Sequence, residues 1–213
     1  MKDTSKHQGL RNQLANTLKK KGITNENVLA AIKKIPRHLF IDSSFEDHAY
    51  QDKAFPIAAE QTISQPYTVA FQSQTLAICP GDNVLEIVTG SGYQTAVLIE
   101  LGAIVYTIER QHELFKKTSL FLPKLGYKHK KFIFGDGYKG LKDKAPFDKI
   151  IVTAGAPFVP KALLAQLKVG GILLIPIGDK KQTMTMFYRK TLKEFEKNEL
   201  GDFAFVPMLQ KKV

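Results

Sequence analysis

The run Val84-Leu85-Glu86-Ile87 leads into Val88-Thr89-Gly90-Ser91-Gly92, and Tyr93 through Leu101 follows before Gly102. An apolar strand, a glycine-containing turn and a helix in direct succession leave few folds open. The turn presents backbone N–H groups at a helix start, which is a seat for a nucleotide-like ligand. The same alternation continues down the chain. Patterning predicts strand 83–88, helix 93–101, strand 104–109, helix 111–122, strands 131–134 and 148–153, helix 160–167 and strand 171–176. Two further strands, 183–189 and 202–207, joined by a polar segment, read as an antiparallel pair at one edge, the second closed by Pro207. The expected fold is α/β: a mostly parallel sheet with an antiparallel C-terminal edge and helices on both faces. Ligands then sit outside the carboxyl ends of the strands.

Upstream of the alternation, Leu10, Leu14 and Leu18 recur every four residues in a helix over 5–21, ended by Gly22 after three lysines. Asn25 is placed to cap a second helix carrying Val28, Ala31, Ile32 and Ile35, closed by Pro36. These two helices are expected to form a cap on the sheet. Residues 37–66 read as loop with short turns, given Pro56, Pro66 and polar clusters. A helix over 67–77 follows, with Val69, Ala70 and Leu76 as core. Ser64 then has two readings of equal weight: a simple N-cap, or, with Thr62, hydroxyls at a helix entrance that favours anions. The 213 residues suit a single domain, with 1–66 as cap and substrate loop and 67–213 as cofactor-binding core.

Lys and Arg total 31 against 20 acidic residues, a formal net charge of +11. Such a surface attracts nucleic acid, anionic membrane or acidic substrate, but the basic residues are spread without a block, as on an ordinary solvated surface. No apolar run has membrane-span length and the N-terminus lacks a signal-type segment, so the expectation is a cytoplasmic protein with no membrane partner. Cys79 is the only cysteine, which excludes an intrachain disulfide, and its apolar neighbours predict burial. The five histidines are scattered and read as surface or capping residues, with no metal spacing; no metal is expected.

Three strand ends carry the chemistry. The first is the turn at Gly90 and Gly92. The second is Glu109, about 20 residues beyond Gly90, the spacing at which an acid reaches a ribose hydroxyl pair. The third is Gly135-Asp136-Gly137, where an acid accepts from an adenine amino group and glycines admit a flat ring. Together they point to an adenosine-containing cofactor. Thr95 stands where a dinucleotide fingerprint needs its last glycine or alanine, and no phosphate loop is present. S-adenosylmethionine remains, with S-adenosylhomocysteine as product.

With these residues in view, the chain resembles the protein-L-isoaspartate O-methyltransferases, a class I family with a Rossmann-like sheet. The resemblance runs from about Ile23 to Pro207. It rests on Ile35-Pro36-Arg37-His38-Leu39-Phe40, Gln61-Thr62-Ile63-Ser64-Gln65-Pro66-Tyr67, Leu85-Glu86-Ile87 with Thr89 through Gln94, and Gly135-Asp136-Gly137. It continues through Ala145-Pro146-Phe147-Asp148, Val152-Thr153-Ala154 and Gly170-Gly171. It implies methyl transfer to the free carboxylate of L-isoaspartyl residues in damaged proteins and peptides, with D-aspartyl as a further candidate. The ester then cyclises to a succinimide. By resemblance, Ser64 is the catalytic-site residue. It would hold the substrate carboxylate with Thr62 and Ile63. Gln61, Glu86, Val88, Gly90, Gly92, Glu109, Asp136 and Gly137 would form the cofactor site, and the enzyme would be a monomer. A carboxylate is ionised near neutral pH, so no general base is required.

The family commonly has glycine at the positions of Val88 and Glu60 and an acid at that of Phe158. Val88 is an outlier if its φ is positive and comfortable if extended; weaker cofactor binding is expected either way. Glu60 repels a substrate carboxylate unless it points away. These departures motivate a second reading, a binding protein of the same fold with impaired catalysis. A third, a nucleic-acid methyltransferase, is disfavoured because Thr153-Ala154-Gly155-Ala156-Pro157-Phe158 lacks the Asn/Asp/Ser-Pro-Pro-aromatic signature of amino-methylating enzymes.

Overall fold

The computed structural model describes residues 2–211. Helix α1 covers Ser5–Lys20; Thr4 and His7 cap it reciprocally, and Leu14, Ala15 and Leu18 are buried. Helix α2, Glu26–Lys34, starts where the Asn25 side chain accepts from the N–H groups of Asn27 and Val28. Residues 37–66 are more ordered than a plain loop. Two short 3₁₀ turns, Arg37–Phe40 and Ser43–His48, precede a small hairpin of β1 (Phe55–Pro56) and β2 (Thr62–Ile63). Helix α3 spans Pro66–Leu76, with proline in its first turn.

The main sheet contains β3 (Asn83–Ile87), β4 (Ile104–Glu109), β5 (Lys131–Phe134), β6 (Phe147–Val152), β7 (Leu167–Ile177), β8 (Gln182–Arg189) and β9 (Phe195–Phe203). Their order is β5-β4-β3-β6-β7-β8-β9. The first five in that order pair in parallel; β8 and β9 join antiparallel. The chain winds outward from β3 to β5 and then returns to lay β6 beside β3. The strand order therefore reverses at the β3/β6 boundary, where open α/β sheets bind ligands.

Side chains alternate across the sheet and give it two cores. Leu85, Ile87, Ile108, Ile150, Val152 and Leu173 share one cluster with Leu163 of α6 (Lys161–Gln166). Val84, Val105, Ile151 and Leu174 face the other way, with Leu76 of α3 and Leu98 of α4 (Tyr93–Glu100). A third cluster joins α1, α2 and the 3₁₀ segment to α3 and α4, so the N-terminal helices do cap the sheet's helical layer. Helix α5, His112–Lys124, lies between β4 and β5 in sequence.

Four expectations need correction. The last strand begins at Phe195, not 202, so the segment read as a polar connection is itself strand. As the edge of the sheet, β9 tolerates Glu196, Lys197 and Glu199 on exposed faces, which erases the apolar signature. Strand β7 begins at Leu167, four residues ahead of the expected start. Cys79 is exposed, because Ala77 ends α3 in a left-handed conformation and turns the following residues outward. His7 does cap α1, as a buried residue, whereas His38 is neither on the surface nor a cap; the two rings stack with centroids 3.8 Å apart.

Candidate active site

The turn after β3 is held from three sides. The Val88 N–H donates to Ile108 O at 2.9 Å, and the Val88 carbonyl accepts from the Thr153 hydroxyl at the end of β6. Gly90 donates its N–H to Glu109 Oε2 at 2.8 Å, and its carbonyl accepts from Thr118 Oγ1 of α5 at 2.8 Å. Val88, Gly90 and Gly92 have φ of +73°, +55° and +83°. The question raised by Val88 is thereby answered: a β-branched residue stands in the left-handed region. Gly92 is needed for another reason as well. A Cβ there would lie 2.8 Å from Thr118 Cγ2, so this glycine lets α5 approach the turn.

Two buried acids back the turn. Glu109 is fully buried at the end of β4 and accepts from Gly90 N and from Gln111 N, both at 2.8 Å. Burial pushes its pKa up, while those N–H groups oppose the rise. Glu86 is also fully buried. It accepts from Thr95 Oγ1, and its other oxygen has no hydrogen-bond partner among the described residues. Burial pushes its pKa up to about 8. Glu86 lies behind the turn and away from the space in front of it.

That space is a cavity of ≈ 30 Å³ where Gln61, Thr62, Ile63, Ser64, Val88 and Gly90 come together. The hairpin of β1 and β2 delivers the first four from one side, and the β3 turn delivers the other two. Tyr93, Gln94, Thr153 and Val206 also line it. Thr153 was legible as a strand-end polar residue; Val206 comes from the far end of the chain and gave no local sign. Gly92, Glu109, Asp136 and Gly137 do not line this cavity. Glu109 connects to it through Gly90. Asp136 and Gly137 lie beyond, after β5, where Asp136 Oδ1 accepts from Tyr138 N at 2.9 Å.

The hairpin settles two further points. Gln61 N donates to Ala58 O at 3.3 Å across Ala59 and Glu60, whose φ values are +56° and +53°. Both central residues of this turn are left-handed, the type I′ geometry that favours glycine or asparagine. Glu60 is exposed and outside the cavity, so its effect is conformational and not like-charge repulsion. Ser64 is not the cap of α3. Gln65 occupies that place without a side-chain bond, and the Tyr67 N–H is taken by Asp52 Oδ1 at 2.7 Å. The helix entrance is thus partly satisfied, and the half-buried Ser64 remains beside the cavity.

The Arg37-His38 motif works at a distance from the cavity. Arg37 is fully buried, donates to Ala49 O and Lys53 O, and lies 4.8 Å from the Tyr93 ring, directly after the glycine turn. It ties the segment before the hairpin to the helix after the turn. His38 shares a cluster with Asp3 and His7, each offering one ligand-type atom within 4.8 Å of the others. Asp3 is spent bidentately on Arg11, and stacked imidazoles direct their lone pairs alongside each other, so the arrangement is an anchor for α1.

A sheet that reverses at β3, a glycine turn against a strand-end acid, and a second strand-end acid flanked by glycines define a class I, S-adenosylmethionine-dependent methyltransferase. The residues fit that cofactor: Glu109 and Asp136 are acceptors at successive strand ends. A Cβ at Gly137 would lie 2.4 Å from Ile87 Cγ2, so this position has no room for a side chain. The sequence profile of the family described as protein-L-isoaspartate(D-aspartate) O-methyltransferase matches residues 9–213, and the chain belongs to that family. Proteins named protein-L-isoaspartate O-methyltransferase from Christiangramia forsetii and Flavobacterium psychrophilum are 70% and 68% identical to it over 212 residues, covering 100% of each chain. Among solved structures, one titled protein-L-isoaspartate O-methyltransferase superposes with a TM-score of 0.84 at 29% identity, covering 92% of this chain and 65% of that one. A second, described as a putative enzyme of this kind from Plasmodium falciparum in complex with S-adenosyl-L-homocysteine, gives 0.83 at 25% identity, covering 93% and 98%.

Proposed function

We propose that the protein transfers the methyl group of S-adenosylmethionine to the free carboxylate of L-isoaspartyl residues in damaged proteins, starting their repair through a succinimide. The observation that carries the reading is the single cavity shared by Thr62-Ile63-Ser64 and the turn at Gly90. It sets the family's substrate segment against its cofactor turn.

When bound, the cofactor supplies an electrophilic methyl on a sulfonium. The chain's part is positioning. Ser64 Oγ and the backbone of Thr62 and Ile63 hold one carboxylate oxygen and leave the other in line for attack. Glu109 would accept from the ribose hydroxyls, and Asp136 with Gly137 would receive the adenine edge. Gln61, half-buried at the hairpin turn, closes the cofactor from the substrate side. No base is invoked, because the acceptor is ionised before it arrives. The Val88 and Gly92 backbones shape the turn, and Glu86 supports it from behind.

The enzyme acts as a single domain and a monomer in the cytoplasm, on protein and not on nucleic acid. An exposed free cysteine suits a reducing compartment, and among the described residues no helix is long and apolar enough to cross a membrane. Ser64→Ala is the direct test. Initial rates on an isoaspartyl peptide should fall about 10- to 100-fold, the loss of one hydrogen bond to a charged group. Calorimetric binding of S-adenosylhomocysteine should stay unchanged. Full activity in that variant would remove Ser64 from the reading.

A further inference from the structure

The turn after β6 and the segment after β9 meet at the carboxyl ends of the strands. Gly155 pairs in parallel with Pro207, donating to Val206 O at 2.8 Å and accepting from Met208 N at 2.7 Å. Thr153 and Val206, just before this pairing, line the cavity that Ser64 shares with the Gly90 turn. Just after it the two segments carry exposed apolar side chains. Phe158 is 53% exposed on one and Leu209 46% exposed on the other.

Phe158 is exposed and yet held. Its ring lies against Tyr138, with centroids 5.9 Å and planes 53° apart. Tyr138 is fixed in turn: its hydroxyl donates to the Met208 carbonyl at 2.9 Å, and its ring packs on the cluster containing Ile87 and Val152. A partner that covers such a ring gains the hydrophobic term with little ordering of the protein side. The other large apolar side chains exposed among the described residues lie away from this edge of the sheet. Ile104 and Val169 are at the amino ends of β4 and β7, Tyr188 pairs with Ile172 near that same end, Leu192 follows β8, and Leu120 is on α5.

The substrate of the proposed reaction is a residue inside a polypeptide. With its carboxylate at Ser64, its neighbours in the peptide must leave the cavity across a rim. From Gly155 to Phe158 the chain spans at most about 10 Å, and an extended peptide advances about 3.4 Å per residue. The first three residues on one side of the isoaspartate are therefore within reach of the ring. An acid at the position of Phe158 would favour a basic neighbour there; a phenyl ring favours an apolar one. We propose that Phe158, backed by Tyr138 and with Leu209 on the paired segment, is a specificity-determining residue that takes an apolar side chain, of the Leu or Phe kind, within three residues of the isoaspartyl group. This rests on the function proposed above and names the sequence context of its substrate.

The test is methyl-transfer kinetics on isoaspartyl peptides in which a leucine is moved through the three positions on either side, against a peptide with serine at all six. For the native chain, KM should be about tenfold lower with leucine at the preferred position than with serine, the effect of burying one apolar side chain. Phe158→Glu should raise KM for that leucine peptide about tenfold and Phe158→Leu about twofold. In both variants kcat, the serine-peptide kinetics and calorimetric binding of S-adenosylhomocysteine should match the native chain. No leucine preference in the native chain, or an equal loss on leucine and serine peptides in Phe158→Glu, overturns the proposal while methyl transfer stands. Weaker S-adenosylhomocysteine binding in Phe158→Glu would assign the ring to the cofactor and overturn it as well. So would a native chain that sediments as a dimer beside a monomeric Phe158→Glu, since a second copy would then cover the ring. No transfer to any peptide by the native chain removes the proposed function and this surface together. Should Phe158→Glu fail to fold, Phe158→Leu and the native chain's own leucine preference decide.

Discussion

Val88 and Glu60 both take positive φ, +73° and +53°, at positions where the family commonly places glycine. Their surroundings differ sharply. Val88 is half-buried, packs against the Leu85 and Ile87 cluster, and is bonded through its N–H to β4 and through its carbonyl to Thr153. Its conformation is over-determined by the sheet, as strained residues at functional sites usually are. Glu60 is exposed in a turn between strands of two residues each. Its side chain meets water, and the turn is held only by short-range hydrogen bonds among residues 57–61. The comparison separates strain that the core imposes on a ligand site from strain that a small hairpin merely tolerates.

The largest effect should come from the acid that backs the first turn. Glu86 has its pKa raised from the usual carboxyl value to about 8 by burial, so its protonated form is the native one. Its stabilising contribution is complete below about pH 4.5 and is lost as pH rises through about 8. Glu86→Gln, neutral throughout, should gain on the parent by about 3 kcal/mol between pH 5 and pH 8, several degrees in Tm. A difference in Tm that stayed flat across that range would show the carboxyl is not desolvated, and the turn would lose its buried support.

Val88→Gly comes next. Relief of left-handed strain is worth about 1–3 kcal/mol, and the lost packing and added chain entropy offset most of it. Stability should therefore move by no more than about 1 kcal/mol in urea unfolding. Affinity for S-adenosylhomocysteine should rise about threefold as the cavity gains the space of the side chain. Matching affinities and matching methyl-transfer rates would show that the site accommodates Val88 fully.

Glu60→Gly should have the smallest effect. It removes left-handed strain and adds unfolded-state entropy, for a net gain of about 0.5 kcal/mol, about 1–2 °C in Tm, with transfer rates unchanged. A clear rise in activity on isoaspartyl peptides would mean that Glu60 does reach the substrate, and the contrast between the two turns would collapse.

Much of this was legible in the chain. The run from Val84 through Leu101 announced strand, turn and helix because side-chain period and turn chemistry are local properties. Asn25 and Pro66 marked helix starts for the same reason. Glu109 was placed by its spacing alone, and it does meet Gly90. The failures share a cause too. Strand β9 packs only Phe195, Leu200 and Phe203 against the cores, with polar and charged residues and a glycine between them, a pattern too sparse to read locally as a strand. Cys79 looked buried from its apolar neighbours until a left-handed Ala77 redirected the chain. His7 and His38 are 31 positions apart in sequence, and no local pattern predicts that their rings stack.

By itself, then, the sequence determined the alternation of elements, the strand ends that carry acids and glycines, and the segment that resembles a substrate loop. Each is encoded within a dozen residues by periodicity, capping or turn preference. The tertiary structure alone decided that Val88 is left-handed and that Ser64 does not cap α3. It also decided that the C-terminal segment returns to Asp136, whose Oδ2 accepts from the Lys211 N–H. Those outcomes depend on contacts between residues distant in the chain, from Val88 with Thr153 to Asp136 with Lys211, and the free energy of such contacts is set by packing that no local pattern records.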